Sequence, residues 1–403
     1  MFAIFRRPPD YKMVYDSLLG VASSEQNSDY VPLTQTDLAG IDLPVKLIAF
    51  YLPQFHPIPE NDEWWGKGFT EWANVSKAVP QFVGHYQPHL PGELGFYDLR
   101  VPEVIARQVE LARKYGIYGF AFHYYWFNGR RLLEKPMDTF IANKGIDFPF
   151  CICWANENWT RRWDGQENEL LIAQAHTAES DVRFIQDIVP IIQDQRYIRV
   201  NGRPLLIVYR PDILPNVMET VKLWRETCRN LGIADPYLVA AQTFKFENPN
   251  SVGFDAAVEF PPHTTLPLHH LNHALDILNP KYEGNVVSYP DFVDRASVDG
   301  DPPYKVFKTV FPSWDNEARK PGRGFTFAFS SPSVYQKWLR RACELTMSKE
   351  KDPDKRLVFI NAWNEWAEGT HLEPDRHYGY AQLEATAQAL RSLTNTDMPD
   401  KRT

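Results

Sequence analysis

Eight short apolar runs, separated mostly by longer segments of helical period, constrain this chain more than any other feature. The runs are Lys46–Tyr51, Gly119–Tyr124, Phe148–Trp154, Leu205–Tyr209, Tyr237–Ala241, Ala256–Phe260, Val306–Phe311 and Leu357–Ala362. Such runs read as strands covered on both faces, which is how parallel sheets with crossover helices are built. Between them, Pro102–Tyr115, Ser180–Gln193, Asn216–Leu231 and Ser333–Met347 place apolar residues three and four apart, and Gly116 and Gly232 stop two of these helices. An open doubly wound sheet would carry a Gly-rich phosphate turn early in the chain. None is present, so the expected fold is α/β, a (β/α)8 TIM-type barrel. The fifth and sixth units are irregular: 247–255 is a short connection, and 261–304 is long and rich in Pro, His and Asp. An α/β fold with an inserted loop is the reserve reading. Residues 1–44 read as an N-terminal arm or linker, 45–395 as one barrel domain with long βα loops, and 396–403 as a tail.

Composition excludes several classes. With 44% hydrophobic and 23% charged residues the chain can bury a sizeable core, unlike a collagen, coiled-coil or disordered sequence. The net charge of −8 and the scattered Lys and Arg argue against a nucleic-acid partner. No apolar run is long enough to span a bilayer or to serve as a secretory leader. Cys151, Cys153, Cys228 and Cys343 have neither metal spacing nor a disulfide framework, so a cytoplasmic location is expected. Oligomeric state is not legible.

In a barrel the site lies at the C-terminal ends of the strands, so the residues after each run are the test. Tyr51, Gln54 and His56 follow the first; His123, Tyr124, Tyr125 and Trp126 the second; Trp154, Asn156, Glu157, Asn158 and Trp159 the third. Tyr209 and Arg210 follow the fourth, Gln242 the fifth, Glu259 ends the sixth, and Trp314, Asp315 and Asn316 follow the seventh. Asn364, Glu365, Trp366 and Glu368 come after the eighth. Aromatic rings offer faces for the C–H sides of sugars, and the interleaved amides, acids and imidazoles serve hydroxyls. The expected partner is therefore a carbohydrate substrate. The competing reading is that individual aromatics simply cap the barrel core.

The densest constellation runs from Asn361 to Pro374 and carries Glu365 and Glu368 three residues apart among tryptophans. If the chain turns helically there, both carboxylates share one side. Glycoside cleavage needs two such groups, and apolar surroundings plus a like charge would keep one protonated. The alternative is that both glutamates bond loop backbone or pair with an arginine. Glu157 reads as a binder of sugar hydroxyls, or as an ion-pair partner of Arg161 or Arg162. Asp315 and Arg319 fix a loop or bind substrate. His56, His123 and His371 lack metal spacing, and no metal or cofactor is called for.

Ala49–His56, Glu71-Trp72, Trp154–Trp159, Trp314–Asn316 and Asn364–Pro374 together resemble the WbsX-type polysaccharide-biosynthesis proteins, a branch similar to glycoside hydrolase family 99, the endo-α-mannosidases. The likeness spans about residues 46–390. It implies the same (β/α)8 fold, with Glu365 as base, Glu368 as acid and Tyr209 as the tyrosine supporting the base. It also implies retention of configuration through a 1,2-anhydro sugar formed by the substrate 2-hydroxyl. The segment from Trp154 to Trp163 follows the WbsX branch, so mannosidase specificity is not implied. The expected activity is that of a retaining glycoside hydrolase or transglycosylase. The alternatives are a glycosyltransferase of polysaccharide biosynthesis and a non-catalytic carbohydrate-binding barrel.

Overall fold

A computed structural model describes residues 28–394 except 162–165, 175, 244–247, 264–267, 299 and 301, together with 11, 12, 15, 16 and 19. The tail read at 396–403 and most of residues 1–27 lie outside the described residues.

Eight parallel strands close a barrel in chain order: β1 (Lys46–Tyr51), β2 (Ile117–Phe127), β3 (Phe150–Trp154), β4 (Arg203–Val208), β5 (Tyr237–Gln242), β6 (Ala256–Glu259), β7 (Val306–Val310) and β8 (Leu357–Ile360). Each pairs with the next, and β8 returns to β1 through Lys46↔Leu357 to Ala49↔Ile360. Closure removes every sheet edge, which explains why the runs are apolar throughout: one face lines the barrel and the other meets helices. Phe50, Phe260 and Phe359 meet inside it with ring centroids 4.8 and 5.5 Å from Phe50.

The helices are α1 (Pro59–Trp65), α2 (Glu71–Val75), α3 (Pro102–Lys114), α4 (Lys135–Ala142), α5 (Ala178–Ile192), α6 (Val217–Asn230), α7 (Tyr289–Ala296), α8 (Pro332–Lys349) and α9 (Ala381–Thr394). Side chains start three of the long ones: Thr177 accepts from Ser180 N–H, Asn216 from Glu219 N–H and Ser331 from Val334 N–H. Gly116 ends α3 with φ +85°, and a Cβ there would lie 2.5 Å from Leu390, so conformation and packing both require glycine.

The fifth unit is as irregular as expected: among the described residues only the 3-10 turn Asn250–Val252 separates β5 from β6. The long connection after β6 carries a strand, Asn285–Ser288, that pairs outside the barrel with Phe325–Ala328, and then α7. Part of the N-terminal arm is a packed strap. Val31 and Gly379 bridge, Leu38 N–H donates to Lys114 O, and the hydroxyls of Thr34 and Thr36 donate to Glu384 on α9.

Candidate active site

After β8 the chain makes a small hairpin, Asn364–Glu365 against Thr370–His371, closed by the 3-10 turn Trp366–Glu368. Three residues per turn bring Glu365 and Glu368 onto one side. Gly369 completes the turn at φ +59°, and a Cβ there would stand 2.9 Å from Asp315 Cβ. Only glycine allows that approach, across which Asp315 N–H donates to Glu368 O at 2.7 Å.

Asp315 is the post of the neighbouring loop. Buried itself, it takes hydrogen bonds from Gln87 (2.8 Å), Thr326 (3.0 Å) and Glu317 N–H, and pairs with His85 Nε2 at 2.5 Å. Burial works to raise its pKa, but His85 and its other partners hold it below the usual aspartate value. The loop so fixed delivers Arg319. Its Nη2 bonds Glu365 at 2.9 Å, Nη1 bonds Glu368, and Glu71 stands 3.3 Å from Nη2 and 3.4 Å from Nε. Both carboxylates of the pair therefore sit on adjacent nitrogens of one guanidinium.

This group forms one side of a cavity of about 340 Å³ at the C-terminal mouth of the barrel. Glu365 is 8% and Glu368 21% exposed, so the pair borders the cavity rather than facing bulk water. Burial raises both carboxyl pKa values even against the pull of Arg319, with the charge of Glu71 adding to both rises and that of Glu368 adding to the rise at Glu365. Burial also raises the Tyr209 phenol, and pushes His123 down to about 4 with help from Arg319, so its imidazole is neutral. The site thus offers two carboxyls pushed towards their protonated forms, beside a neutral imidazole and phenol.

Of the residues singled out from sequence, Gln54, His123, Tyr125, Glu157, Asn158, Trp159, Tyr209, Trp314, Asn316, Arg319, Glu365 and Glu368 line the cavity. Glu157 pairs with Arg210 at 2.6 Å; the side chains of Arg161 and Arg162 lie outside the described residues. The remaining expected binders are placed elsewhere, which corrects the reading that every polar or aromatic residue after a strand faces the site. Alternation along the strands is the reason. On β2, His123 and Tyr125 point into the cavity, while Tyr124 and Trp126 turn outward to Phe184 of α5, as does Trp154 of β3. Tyr51 packs on Phe120 and Phe122, with its hydroxyl on Gln108. His56 lies against Pro53 O.

The others serve the framework. Asn156 exchanges two hydrogen bonds with the Arg210 backbone, and Asn364 does the same with Leu52, N–H at 2.8 Å and C=O at 3.0 Å. Gln242 donates to Tyr304, Glu259 pairs with Lys308, and Trp366 stacks on His371 and donates to Glu373. Sequence reasoning missed Asn61 and Trp65 on α1, His263 and Lys320, all of which line the cavity. They come from connections rather than strand ends, and no local pattern marks them.

His89, His371 and Asp375 are buried, with ligand-type atoms within 4.8 Å of one another. They stand outside the cavity and their atoms are engaged: His89 Nδ1 with His371 Nε2 at 3.1 Å, His371 Nδ1 with Glu373 O, and Asp375 with Tyr378 N–H. No helix among the described residues is long and apolar enough to cross a membrane.

The sequence profile of a family described as glycosyltransferase WbsX matches residues 47–386. Two curated relatives, both an uncharacterized protein WxcX from strains of Xanthomonas campestris pv. campestris, are 48% identical over 348 residues, covering 86% of this chain and 50% of theirs. The chain thus spans about half the length of the curated relatives it matches. The fold is similar to that of the family 99 endo-α-mannosidase of Bacteroides thetaiotaomicron, with a TM-score of 0.52 at 17% identity over 87% of this chain and 97% of that one. A glycoside hydrolase-like protein gives 0.54 at 14% identity, over 90% and 97%.

Proposed function

From the premise that the chain belongs to the WbsX family of carbohydrate-active barrels, we propose that it acts on a glycosidic bond with Glu365 and Glu368 as its reacting pair. The observation that carries this is the placement of both carboxylates on one guanidinium at the wall of the cavity. Three carboxylates around one Arg319 leave two negative charges in excess if all are ionised. Held away from water, such a cluster retains a proton, which supplies an acid beside a base near neutral pH.

By the family resemblance Glu365 is the base and Glu368 the acid. Glu368 gives its proton to the departing glycosidic oxygen while Glu365 takes the proton of the sugar 2-hydroxyl, whose oxygen closes on the anomeric carbon. An incoming hydroxyl then attacks the anomeric carbon and gives its proton to Glu368 as the bond to the 2-oxygen breaks and Glu365 returns its proton there, leaving the configuration retained. By the same resemblance Tyr209, which also lines the cavity, is the tyrosine that supports the base. Trp65, Trp159 and Trp314 offer ring faces, and Gln54, Glu157 and Asn316 offer groups for hydroxyls. No step calls for a metal or cofactor.

A second reading, glycosyl transfer in polysaccharide biosynthesis, is favoured by the family's description as glycosyltransferases. The same pair serves when a sugar hydroxyl replaces water as acceptor. Incubation with a panel of bacterial polysaccharides tests both: new reducing ends mark hydrolysis, and lengthened saccharides mark transfer. Glu365→Gln and Glu368→Gln should each lower turnover at least about a hundredfold, the usual scale of general acid–base catalysis. Near-normal rates in either variant would reject the pair.

A further inference from the structure

Arg319 has a third carboxylate partner that the cavity does not reach. Glu71 opens α2, is fully buried, and is fixed by its own N–H donating to Gln54 O at 3.1 Å. Its carboxylate lies 3.3 and 3.4 Å from two nitrogens of Arg319. The next residue, Trp72, packs on Trp366, with ring centroids 5.6 Å apart, in the turn that bears the pair. Helix α2 and that turn are thus joined twice, by aromatic packing and through one guanidinium. Arg319, Glu365 and Glu368 line the cavity; Glu71 does not, so a bound sugar cannot touch it.

Resting on the reading of Glu365 and Glu368 as the reacting pair, we propose that Glu71 is the positioning residue of this site: it anchors Arg319 from behind and draws off part of its positive charge, so that the pair keeps a proton. Without a third acid, Arg319 would neutralise one glutamate outright and ease ionisation of the other. With it, the guanidinium is shared three ways. The other groups facing the pair are few among the described residues. Lys320 lies near Glu368 but is exposed; Tyr125 faces Glu365; Tyr209 faces Glu368 with Glu157 beyond it; His123 faces Arg319 and is kept neutral by burial. Glu71 is therefore the buried negative charge outside the pair whose removal should be felt most directly. Loss of a negative neighbour favours the ionised form, so the pair should titrate at lower pH in its absence.

The test uses the full chain with 13C at the glutamate carboxyl carbons, assigned through Glu365→Gln and Glu368→Gln and followed by NMR against pH. Glu71→Gln should move the titration of the pair down by about one unit, the lower end of what an adjacent buried charge does. Glu71→Asp, shorter by one methylene but still charged, should move it less than half as far. Thermal melting verifies that each variant is folded. An unmoved titration in folded Glu71→Gln, or equal movement in both variants, overturns the proposal; if Glu71→Gln does not fold, an unmoved titration in Glu71→Asp does so. The readout needs no substrate. Normal turnover in the Glu365 and Glu368 variants would defeat the reading of the pair while leaving this charge coupling measurable.

Discussion

At the scale of single residues, the site depends on side chains that substitute for backbone. Asn364 binds both the N–H and the C=O of Leu52, joining the hairpin that carries Glu365 to the end of β1 across 312 residues of sequence. Both backbone groups are buried, and Asn364→Ala would leave each without a partner. At about 1–3 kcal/mol for an unsatisfied buried group, the variant should lose roughly 2–5 kcal/mol of stability by urea unfolding. A loss below about 0.5 kcal/mol would mean that water or a backbone shift satisfies Leu52 instead. The motif around Glu365 and Glu368 was legible because acids amid tryptophans are poor surface residues. Asn364 was legible only as a neighbour, and its partner was not. The link from Arg319 to Glu71 spans 248 residues and leaves no local pattern. The outward aromatics failed for another reason: the strand ends were read for residue type without the alternation that sends Tyr124 and Trp126 away from the cavity that His123 and Tyr125 reach.

At the scale of elements, the eight strands were legible because closed barrels demand unbroken apolar runs, and four helices because their periodicity is long. Of the helices that sequence passed over, α9 is long but rich in alanine and buried at most of its positions, which blurs its period, and the others are short: α4 begins Lys135-Pro136 and α7 begins Tyr289-Pro290, each spanning eight residues. Eight residues offer too few turns for a periodic pattern to stand out. Such elements are secured by tertiary contacts. The C-terminal end of α4 is closed by Arg196, which donates to the carbonyls of Phe140 (3.2 Å), Ile141 (3.0 Å), Asn143 (3.3 Å) and Ile146 (2.6 Å). Asp194 grips the same guanidinium at 2.9 Å. Arg196→Ala should therefore cost about 2–4 kcal/mol, since it releases several carbonyls at once and leaves Asp194 with Lys144 as its remaining cation. Arg196→Lys should recover little of the loss, because one ammonium cannot span four carbonyls as a planar fork does. Hydrogen exchange should show protection lost first in 135–146. Uniform loss across the barrel would instead place Arg196 in the global folding core.

At the scale of the whole molecule, two opposed sets of buried groups govern how stability depends on pH. Burial lowers the pKa of His56, His89, His123, His176, His371 and His377, with His89 and His123 at about 4. The unfolded chain binds those protons first, near the ordinary histidine value of about 6.5, so this set loses stability as the pH falls below it. Burial raises Glu317, Glu373 and Asp375 to about 7, and raises Glu365, Glu368 and Asp181 as well. Here the folded chain binds protons while the unfolded chain is still ionised, so stability is gained as the pH falls from about 7 to about 4.5. The slopes oppose over the same window, and the melting temperature should be nearly flat across it. Below about pH 4 the balance ends. Asp194, held low by Arg196, and Asp315, held low by His85 against its burial, contribute stability above their unfolded values that is lost as the pH falls through the folded ones. The expected curve is a plateau followed by a steep acid limb, measured by calorimetry from pH 8 to 3. A steady decline between pH 7 and 5 would show that the imidazoles outweigh the carboxyls and would reject the balance.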